Sequence, residues 1–233
     1  MNIALILSGG TGTRLGSEIP KQYIEICGKP IIFYCVETLL CHSRIDAIQI
    51  VAEPAWQKYI QSWLSVADRR KKLKGFSRPG INRQLSILNG LQDIRKYADD
   101  TDYLFIHDAA RPLLSRKQIT DCLDAAEEHD GVIPVIPMKD TVYSSTDGKQ
   151  ITALLDRSKI YAGQAPEVFK LGVYYAVNIR LLPDRILNIN GSTEPAVMAG
   201  LDVAMIPGDE GNFKITTRAD LERFQKIVEN SLQ

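Results

Sequence analysis

The chain has 233 residues, enough for one large α/β domain or two small ones, and its composition is ordinary for a globular protein. Its 28 basic and 28 acidic residues cancel, so no net field would attract nucleic acid or an anionic membrane, and neither is expected as a partner. No apolar run reaches the length of a membrane span and no amino-terminal signal is present, so we expect a cytoplasmic enzyme.

The first predicted element is a short buried strand that ends in a glycine-rich loop. The apolar run lies at residues 2–7, and glycines follow at positions 9, 10, 12 and 16. Glycine lets the backbone bring its N–H groups close to a ligand, and open α/β sheets bind nucleotides and phosphates at such a loop. Arg14 and Lys21 add two cations just beyond it, which favours a phosphate site over a plain structural turn.

This loop differs from the two commonest phosphate-binding motifs. A P-loop ends in Gly-Lys-Ser or Gly-Lys-Thr, whereas Lys21 lies between Pro20 and Gln22. The dinucleotide fingerprint requires a glycine where this chain has Leu15, and Gly16 comes one residue too late. The loop therefore indicates phosphate binding of another kind.

The remainder of the chain alternates apolar runs with helical patterns. Strands are predicted over residues 47–52, 74–77, 103–107, 131–137 and 202–206, and helices over 29–40, 56–66, 116–128 and two short segments before residue 202. Asn82 is the predicted N-cap of a further helix, and Thr217 with Asp220 is the predicted capping box of the last one. The alternation favours an α/β fold with a mostly parallel sheet and helices on both faces, in a single domain over residues 1–233.

Residues 139–162 break this alternation. The segment is polar, contains Asp147-Gly148 as a hairpin signal, and has β-rich stretches at 141–143 and 150–152. We therefore predict a β-hairpin outside the main sheet. Such arms often make dimer contacts, and an ordinary surface excursion is the alternative.

Four polar clusters follow predicted strands, at the edge where an open α/β sheet gathers its active site. They are the glycine-rich loop with Lys21, residues 80–86, residues 108–111 and residues 211–214. Asp108 directly follows a buried strand, where a carboxylate can be a helix cap or a metal ligand. The neighbouring cations favour a Mg²⁺ ligand, because Mg²⁺ is held by one or two carboxylates together with substrate phosphates.

The motifs in and between these clusters span nearly the whole chain. In order, they are Gly-Gly-Thr-Gly-Thr-Arg-Leu-Gly at 9–16, Pro-Lys-Gln at 20–22, Arg-Gln-x-Ser at 83–86, His-Asp-Ala-Ala-Arg-Pro at 107–112, Asp-Thr-Val at 140–142, Leu-Asp-Arg-Ser at 155–158, Gln-x-Pro at 164–166 and Asn-x-Lys-Ile-Thr at 212–216. Together they closely resemble the cytidylyltransferases that act on 2-C-methyl-D-erythritol 4-phosphate, and the related ribitol-5-phosphate cytidylyltransferases share much of the pattern. The resemblance implies a Rossmann-like nucleotidyltransferase fold and a homodimer formed through the 139–162 arm. It also implies Mg²⁺-dependent transfer of CMP from CTP to a polyol phosphate, with release of pyrophosphate.

Roles for individual residues follow from the resemblance, position by position. The residues implied to hold the triphosphate and stabilise the transition state are Arg14, Lys21 and Lys214, and the implied Mg²⁺ ligand is Asp108. The residues implied to bind the nucleotide are Ser8, Gly9, Gly10, Gly12, Gly80, Arg83, Ser86 and Ala109. The residues implied to bind the acceptor are Asp140, Thr141, Arg157, Thr193 and Arg111, with Arg157 reaching across the dimer from the arm.

Three departures from the family pattern bear on the substrate and the metal. Leu7-Ser8-Gly9 replaces the Ala-Ala-Gly common in methylerythritol enzymes and is similar to the ribitol group, and Thr193-Glu194-Pro195 stands where Thr-Asp is usual. Gly211 stands where members often carry an acidic residue, so the sequence leaves open whether a second carboxylate binds the metal. Asp209 and Glu210 lie just upstream.

Several functional hypotheses are consistent with this pattern. Methylerythritol phosphate is the favoured acceptor, because three motifs are similar to those of the methylerythritol enzymes. They are His-Asp-Ala-Ala-Arg-Pro, Arg-Gln-x-Ser and Leu-Asp-Arg-Ser. Ribitol 5-phosphate is the first alternative. A sugar-1-phosphate nucleotidyltransferase that uses another nucleoside triphosphate is the second, and a nucleotide-binding module without turnover is the third.

Overall fold

Strands and helices alternate along the chain in the computed structural model, which describes residues 1–10 and 19–231. Within these residues the strands are β1 (Asn2–Leu7), β2 (Glu25–Ile26), β3 (Lys29–Pro30), β4 (Ala47–Val51), β5 (Leu73–Ser77), β6 (Tyr103–Asp108), β7 (Gly131–Pro137), β8 (Val142–Ser144), β9 (Ala153–Leu155), β10 (Tyr161–Gly163), β11 (Glu167–Lys170) and β12 (Val203–Pro207). The α-helices are α1 (Ile31–Cys41), α2 (Pro54–Ala67), α3 (Arg83–Ile94), α4 (Arg116–Ala125), α5 (Leu171–Ile179), α6 (Glu194–Met198) and α7 (Arg218–Ser231).

The main sheet confirms the predicted, mostly parallel architecture. Its strand order is β10-β7-β11-β6-β1-β4-β5, and β12 pairs with β7. β1 pairs in parallel with β4 and with β6, and β4 pairs in parallel with β5. β10 and β11 pair antiparallel with their neighbours in the described part of the sheet. The sheet is therefore parallel at its centre and mixed at one side.

Helices cover both faces of this sheet, as predicted. Alternate residues of β1 point to opposite faces, so Ala4 and Ile6 belong to one core while Ile3 and Leu5 belong to the other. Side chains of α1, α2 and α4 complete the first core, and side chains of α3 and α5 complete the second. Complete burial of each large aliphatic side chain stabilises the fold by about 1.5–3 kcal/mol. No helix in the described ranges is long and apolar enough to cross a membrane.

The register of the parallel strands places their carboxyl ends at one level. Leu7 of β1 pairs with Asp108 of β6 on one side and with Val51 of β4 on the other. Val51 in turn pairs with Ser77, the last residue of β5. The glycine-rich loop, residues 80–86 and residues 108–111 therefore begin side by side at the same edge of the sheet.

The predicted hairpin is present, although its second strand was placed wrongly. β8 and β9 form a separate two-stranded antiparallel sheet in which Val142 pairs with Leu155. The second strand is residues 153–155 and not 150–152. The cause is the turn, where the Asp147 carboxylate accepts from the amides of Lys149 at 2.8 Å and Gln150 at 2.9 Å. Amides bonded to this side chain cannot join a β-ladder, so pairing starts later.

Two strands of the main sheet, β10 and β11, were missed in the sequence. β11 lies between β6 and β7 and bonds to both, and it begins at the buried residue Glu167. A four-residue run with a charged residue at each end does not show the apolar pattern of a central strand. Helix α4 also ends at Ala125, three residues before the predicted boundary.

Candidate functional site

A cavity of about 500 Å³ opens at the carboxyl edge of the sheet. Its lining residues come from all four of the polar clusters found in the sequence. They are Leu7, Gly9, Gly10, Lys21, Gln22, Val51, Glu53, Gly80, Ile81, Asn82, Arg83, Ser86, Asp108, Ala109, Ala110, Lys214 and Thr216. The cavity is therefore the candidate site.

The start of the glycine-rich loop is fastened to the turn that carries Lys21. The Gln22 side-chain amide donates to the carbonyl oxygens of Ser8 at 2.8 Å and Gly10 at 2.7 Å. Ser8 is buried, and its Oγ donates to the Tyr23 hydroxyl at 2.8 Å, which donates back to the Ser8 carbonyl at 3.1 Å. The Ser8 side chain thus supports the loop from beneath and does not line the cavity. Neither residue received a role from the sequence, although Gln22 ends the Pro-Lys-Gln motif and Tyr23 follows it directly.

Lys21 is held at the cavity wall by contacts with a distant segment. Its Nζ donates to the carbonyl oxygen of Ile215 at 2.6 Å, and the Ile215 amide donates to the carbonyl of Ala110 at 2.8 Å. These two bonds join the turn at Lys21, the segment after β6 and the segment before α7. Lys21 and Lys214 therefore reach the same cavity from opposite ends of the chain.

The turn at Gly80 is closed by the side chain of Ser86. The Gly80 amide donates to Ser86 Oγ at 2.9 Å, and Ser86 Oγ donates to the Asn82 carbonyl at 2.8 Å. Asn82 caps α3 as predicted, because its Oδ1 accepts from the Leu85 amide at 2.8 Å. A Cβ on Gly80 would lie 2.4 Å from Leu85 Cβ, so glycine is required for this close turn.

Asp108 lies on the cavity floor and is surrounded by cations. Its Oδ1 is 3.1 Å from Arg83 Nη2, and its Oδ2 is 2.9 Å from Lys214 Nζ and 3.6 Å from Arg111 Nε. Burial favours the neutral carboxyl, but the charges of Arg83 and Lys214 outweigh it and hold the pKa of Asp108 well below its usual range. The group is therefore a permanent carboxylate.

His107 and Arg111 support this floor from behind. The Nε2 of His107 contacts the Arg111 carbonyl oxygen at 2.9 Å, and Arg111 Nη1 donates to the Asn212 carbonyl at 2.7 Å. Burial lowers the pKa of His107 to about 4, so its imidazole is neutral at pH 7 and donates this bond through Nε2. His107 Nδ1 has no hydrogen-bond partner among the described residues.

A second buried carboxylate, Glu167, lies behind Arg83 and was not found in the sequence. Its Oε2 is 3.7 Å from Arg83 Nη2 and accepts a hydrogen bond from Ser192 Oγ. Burial raises the pKa of Glu167, although Arg83 and the bond from Ser192 oppose the shift. The only sequence signal for Glu167 was its charge directly after the Gln-x-Pro motif, in a segment for which no strand was predicted.

The predicted site residues divide into three groups. Those that line the cavity are Gly9, Gly10, Lys21, Gly80, Arg83, Ser86, Asp108, Ala109 and Lys214. Ser8 and Arg111 lie behind the wall, while Asp140, Thr141, Arg157 and Thr193 are not among the lining residues. Gly12 and Arg14 lie outside the described residues.

The acceptor residues expected from the arm are exposed in the single chain. Asp140, Thr141 and Arg157 are exposed, and Arg157 Nη1 donates to the carbonyl oxygen of Lys139 at 2.7 Å. Thr193 differs, because its Oγ1 is buried and has no hydrogen-bond partner within the described ranges. The cavity is thus equipped for an anionic ligand, and the arm residues contribute nothing to it within one chain.

Lys21, Arg83 and Lys214 give the cavity the chemistry of a polyphosphate site. Backbone amides of a glycine-rich loop and three cationic side chains can bind a triphosphate and stabilise charge that moves between its oxygens, and the carboxyl groups of Glu53 and Asp108 line the same cavity. His107 bonds a main-chain carbonyl, and the cavity wall carries no His–Ser or His–Cys pair among the described residues.

Comparison with known proteins agrees with this geometry. A family model described as 2-C-methyl-D-erythritol 4-phosphate cytidylyltransferase (IspD) matches residues 2–230. The enzyme of that name from Nitrosomonas eutropha is 30% identical over 230 residues, covering 97% of this chain and 96% of the relative. The ribitol-5-phosphate cytidylyltransferase from Lactiplantibacillus plantarum is also 30% identical, over 234 residues, covering 98% of this chain and 99% of the relative.

Two further comparisons extend this picture. The bifunctional IspD/IspF enzyme from Granulibacter bethesdensis is 35% identical over 232 residues, and this chain spans 98% of its own length but 57% of that protein. The crystal structure of Francisella tularensis 2-C-methyl-D-erythritol 4-phosphate cytidylyltransferase has a TM-score of 0.80 at 24% identity, covering 96% of this chain and 99% of that one. The fold predicted from the motifs is thereby confirmed.

Proposed function

The chain belongs to the 2-C-methyl-D-erythritol 4-phosphate cytidylyltransferase family, and we propose that it transfers CMP from CTP to 2-C-methyl-D-erythritol 4-phosphate, releasing pyrophosphate. Family membership makes it a cytidylyltransferase and sets aside the sugar-1-phosphate hypothesis. The choice of acceptor is the part proposed here. The observation that supports catalysis best is the gathering of Lys21, Arg83 and Lys214 around one cavity at the carboxyl edge of the sheet.

The reaction suits a site without a general base. The nucleophile is a phosphate monoester oxygen, which is largely dianionic at neutral pH because its second pKa is about 6. It attacks the α-phosphorus of CTP, a bond forms from that oxygen to phosphorus, and the bond to the bridging oxygen of pyrophosphate breaks. The main obstacle is repulsion between two anions, so positioning and neutralisation of charge supply most of the catalysis.

Each cation has a place in this scheme. Lys21, fixed through Ile215, and Lys214, beside Asp108, would contact the triphosphate and stabilise charge as pyrophosphate departs. Amide groups of Gly9 and Gly10 and the turn at Gly80 would bind the rest of the nucleotide. Arg14 would join the cations on the grounds of the motif alone, since it lies outside the described residues.

Mg²⁺ is proposed as the cofactor, with Asp108 as its protein ligand. A permanent carboxylate on the cavity floor supplies the hard oxygen that Mg²⁺ prefers, and one carboxylate with substrate phosphates is a common arrangement. Asp209 and Glu210 are engaged elsewhere: Asp209 Oδ1 accepts from the Gly211 amide at 2.7 Å, and Glu210 pairs with Lys139. When bound, Mg²⁺ would neutralise the triphosphate and make the α-phosphorus more electrophilic.

The arm is proposed to complete the acceptor site of a second copy of the chain. Its apolar side chains Tyr143, Ile151 and Leu154 are 53%, 66% and 66% exposed, which is unfavourable unless another surface covers them. Thr141 and Arg157 lie on the same arm and are exposed as well. A homodimer formed through the arm would bury the apolar side chains and bring a cation to the acceptor phosphate.

Ribitol 5-phosphate is the second candidate acceptor. The Lactiplantibacillus relative named for it is as similar in identity and coverage as the Nitrosomonas relative named for methylerythritol phosphate. Ser8, which distinguishes the loop from the common methylerythritol pattern, bonds Tyr23 beneath the loop and is not among the cavity-lining residues. Of the Leu7-Ser8-Gly9 segment that favoured ribitol, Leu7 and Gly9 therefore line the cavity, and only the Ser8 side chain is directed away from it.

A pyrophosphate-release assay with CTP and Mg²⁺ tests this proposal. Each polyol phosphate is supplied in turn, and the expected result is the highest kcat/KM with 2-C-methyl-D-erythritol 4-phosphate. A higher value with ribitol 5-phosphate would make the chain an enzyme of the second type. CTP binding without release from any polyol phosphate would overturn the catalytic proposal and restore the binding-module hypothesis.

A further inference from the structure

Arg83 lies between two buried carboxylates that belong to different strands. Its Nη2 is 3.1 Å from Oδ1 of Asp108, on β6, and 3.7 Å from Oε2 of Glu167, on β11. Arg83 and Asp108 line the cavity, whereas Glu167 is 7% exposed and is not among the lining residues. Arg83 thus has one counter-charge that faces the ligand and one that lies behind it.

Glu167 is fixed in this position from three directions. It pairs in register with Ile106, two residues before Asp108, so the sheet sets its backbone. Its carboxylate accepts from Ser192 Oγ, which in turn accepts from Arg83 Nη1 at 2.5 Å. The Tyr174 hydroxyl donates to the Ser192 carbonyl at 2.6 Å and holds that segment in place. The Glu167 carboxyl group therefore has a fixed position behind Arg83.

Asp108, in contrast, uses both of its oxygens on cations. Oδ1 pairs with Arg83, and Oδ2 pairs with Lys214 at 2.9 Å. A divalent cation at Asp108 competes for these same oxygens. Lys214 can turn toward the phosphates of the incoming nucleotide. Arg83, in contrast, is held in place by its hydrogen bond to Ser192 Oγ. A partly buried arginine that loses its counter-charge is costly, because its desolvation is no longer compensated.

We propose that Glu167 is a positioning residue that keeps Arg83 neutralised and so releases Asp108 to the divalent cation. The inference rests on the proposed function, since it presupposes Mg²⁺ at Asp108. Without the charge of Glu167, Arg83 pairs with Asp108 alone and competes with the metal for Oδ1. Glu167 thereby sets the Mg²⁺ concentration that the enzyme requires, although Glu167 does not line the cavity.

Glu167→Gln tests this directly. Glutamine keeps the shape of the side chain and an oxygen that accepts from Ser192, and it removes the charge by replacing the other carboxylate oxygen with an amide NH2 group. CTP binding is measured by isothermal titration calorimetry over a series of Mg²⁺ concentrations and again in EDTA, so that the readout is independent of turnover. We expect the half-saturating Mg²⁺ concentration to rise roughly fivefold to tenfold, with CTP affinity in EDTA within about twofold of wild type.

Two matched variants isolate the effect. Glu167→Asp retains the charge and is expected to need a Mg²⁺ concentration within about twofold of wild type. Glu37→Gln removes a negative charge from a partly exposed ion pair with Lys29, whose two residues do not line the cavity, and is expected to leave both titrations unchanged. Thermal denaturation of each variant confirms that it is folded.

Several results would overturn the inference. One is a Glu167→Gln protein with wild-type Mg²⁺ dependence, and another is an equal loss of CTP affinity in Mg²⁺ and in EDTA, which indicates a general structural defect. A Glu167→Gln protein that does not fold would assign the charge to folding instead. If wild-type CTP binding is itself insensitive to Mg²⁺, the proposed metal role fails, and that outcome is distinct from failure of the Glu167 variant alone.

Discussion

The cavity and the hairpin arm differ in how their side chains are held. In the cavity, Lys21, Arg83 and Asp108 each have a partner from a distant segment of the chain, and the strand register brings those segments together. On the arm, residues 151–159 are all exposed, and the turn at Asp147 is held by local bonds. A single chain thus assembles the cavity from side chains held by distant segments, whereas residues 151–159 of the arm stay exposed in the part of the chain that the structure describes.

This difference separates two kinds of mutational effect. A change in the cavity should impair nucleotide binding or transfer within each chain and leave the assembly intact. A change on the arm should act on a second copy of the chain, through the assembly or through the acceptor site. Each experiment below tests this division.

Lys21→Ala is expected to have the largest effect. It removes a cation fixed at 2.6 Å from the Ile215 carbonyl, which no neighbouring side chain in the turn can replace. We expect kcat to fall by about 10²–10³-fold, the usual consequence of losing one preorganised electrostatic contact to the transition state. Steady-state kinetics measures the loss, and size-exclusion chromatography should show an unchanged assembly.

Lys117→Ala is the matched control, because Lys117 forms an exposed pair with Asp121 on α4 and does not line the cavity. A Lys21→Ala enzyme with near wild-type kcat would remove Lys21 from the mechanism. A change in assembly would contradict the division between cavity and arm.

Arg157→Ala is expected to have the second-largest effect. Mixing this variant with Lys21→Ala distinguishes a role of the arm from a role of the cavity. Alone, this variant should lose most activity through a raised KM for the polyol phosphate. If Arg157 serves the partner's site, a mixture of Arg157→Ala and Lys21→Ala chains forms hybrid dimers with one intact site. Activity should therefore reappear on mixing the two inactive proteins.

Failure of the mixed chains to regain activity would contradict this prediction. If mixing under conditions that exchange subunits restores no activity, Arg157 acts within its own chain or not at all. Leu154→Asp provides an independent check, because it places a charge on the 66% exposed apolar surface and should favour monomers. Those monomers should still bind CTP, since the residues that line the cavity belong to one chain.

Local side-chain chemistry explains which parts of the fold were predictable. The start of α3 was found because Asn82 caps it only three residues away, at Leu85. The start of α7 was found likewise, since the Thr217 amide donates to Asp220 Oδ2 at 2.8 Å and the Asp220 amide donates to Thr217 Oγ1 at 3.2 Å. Both signals are complete within four residues, so no tertiary contact is needed to read them.

The features that escaped prediction depend on distant residues. Arg83, Glu167 and Ser192 meet only because β11 inserts beside β6, and nothing near Glu167 in the sequence indicates a buried pair with a residue 84 positions earlier. The motifs identified most of the cavity wall, but not the direction of the Ser8 side chain. That direction depends on the Tyr23 hydroxyl, fifteen residues along the chain.

Gly80→Ala should have an intermediate effect that is confined to the cavity. The added methyl group would lie 2.4 Å from Leu85 Cβ and 2.8 Å from the Ser86 amide, so the turn must shift. Overpacking of this kind costs about 1–3 kcal/mol. We expect KM for CTP to rise several-fold while the acceptor KM and the assembly stay the same.

Gly75→Ala is the control, because its Cβ would meet nothing closer than the Gln49 amide at 3.8 Å. Initial-rate kinetics with each substrate varied in turn separates the two KM values. An equal rise in both would show that Gly80 supports the whole site and not the nucleotide alone.

The smallest effect on activity is expected from His107, whose role is to stabilise the cavity floor. Burial lowers its pKa from 6.5 to about 4 in the folded state, so between these values the unfolded chain binds a proton that the folded chain does not. The free energy of unfolding therefore falls as the pH is lowered from about 6.5 to about 4. The total loss from this one group is roughly 3 kcal/mol. His107→Gln retains an N–H donor for the Arg111 carbonyl but does not titrate, so its free energy of unfolding should depend less on pH in this window. Urea denaturation of both proteins at a series of pH values measures the difference, and parallel profiles would show that His107 takes up its proton in the folded state as readily as in the unfolded chain.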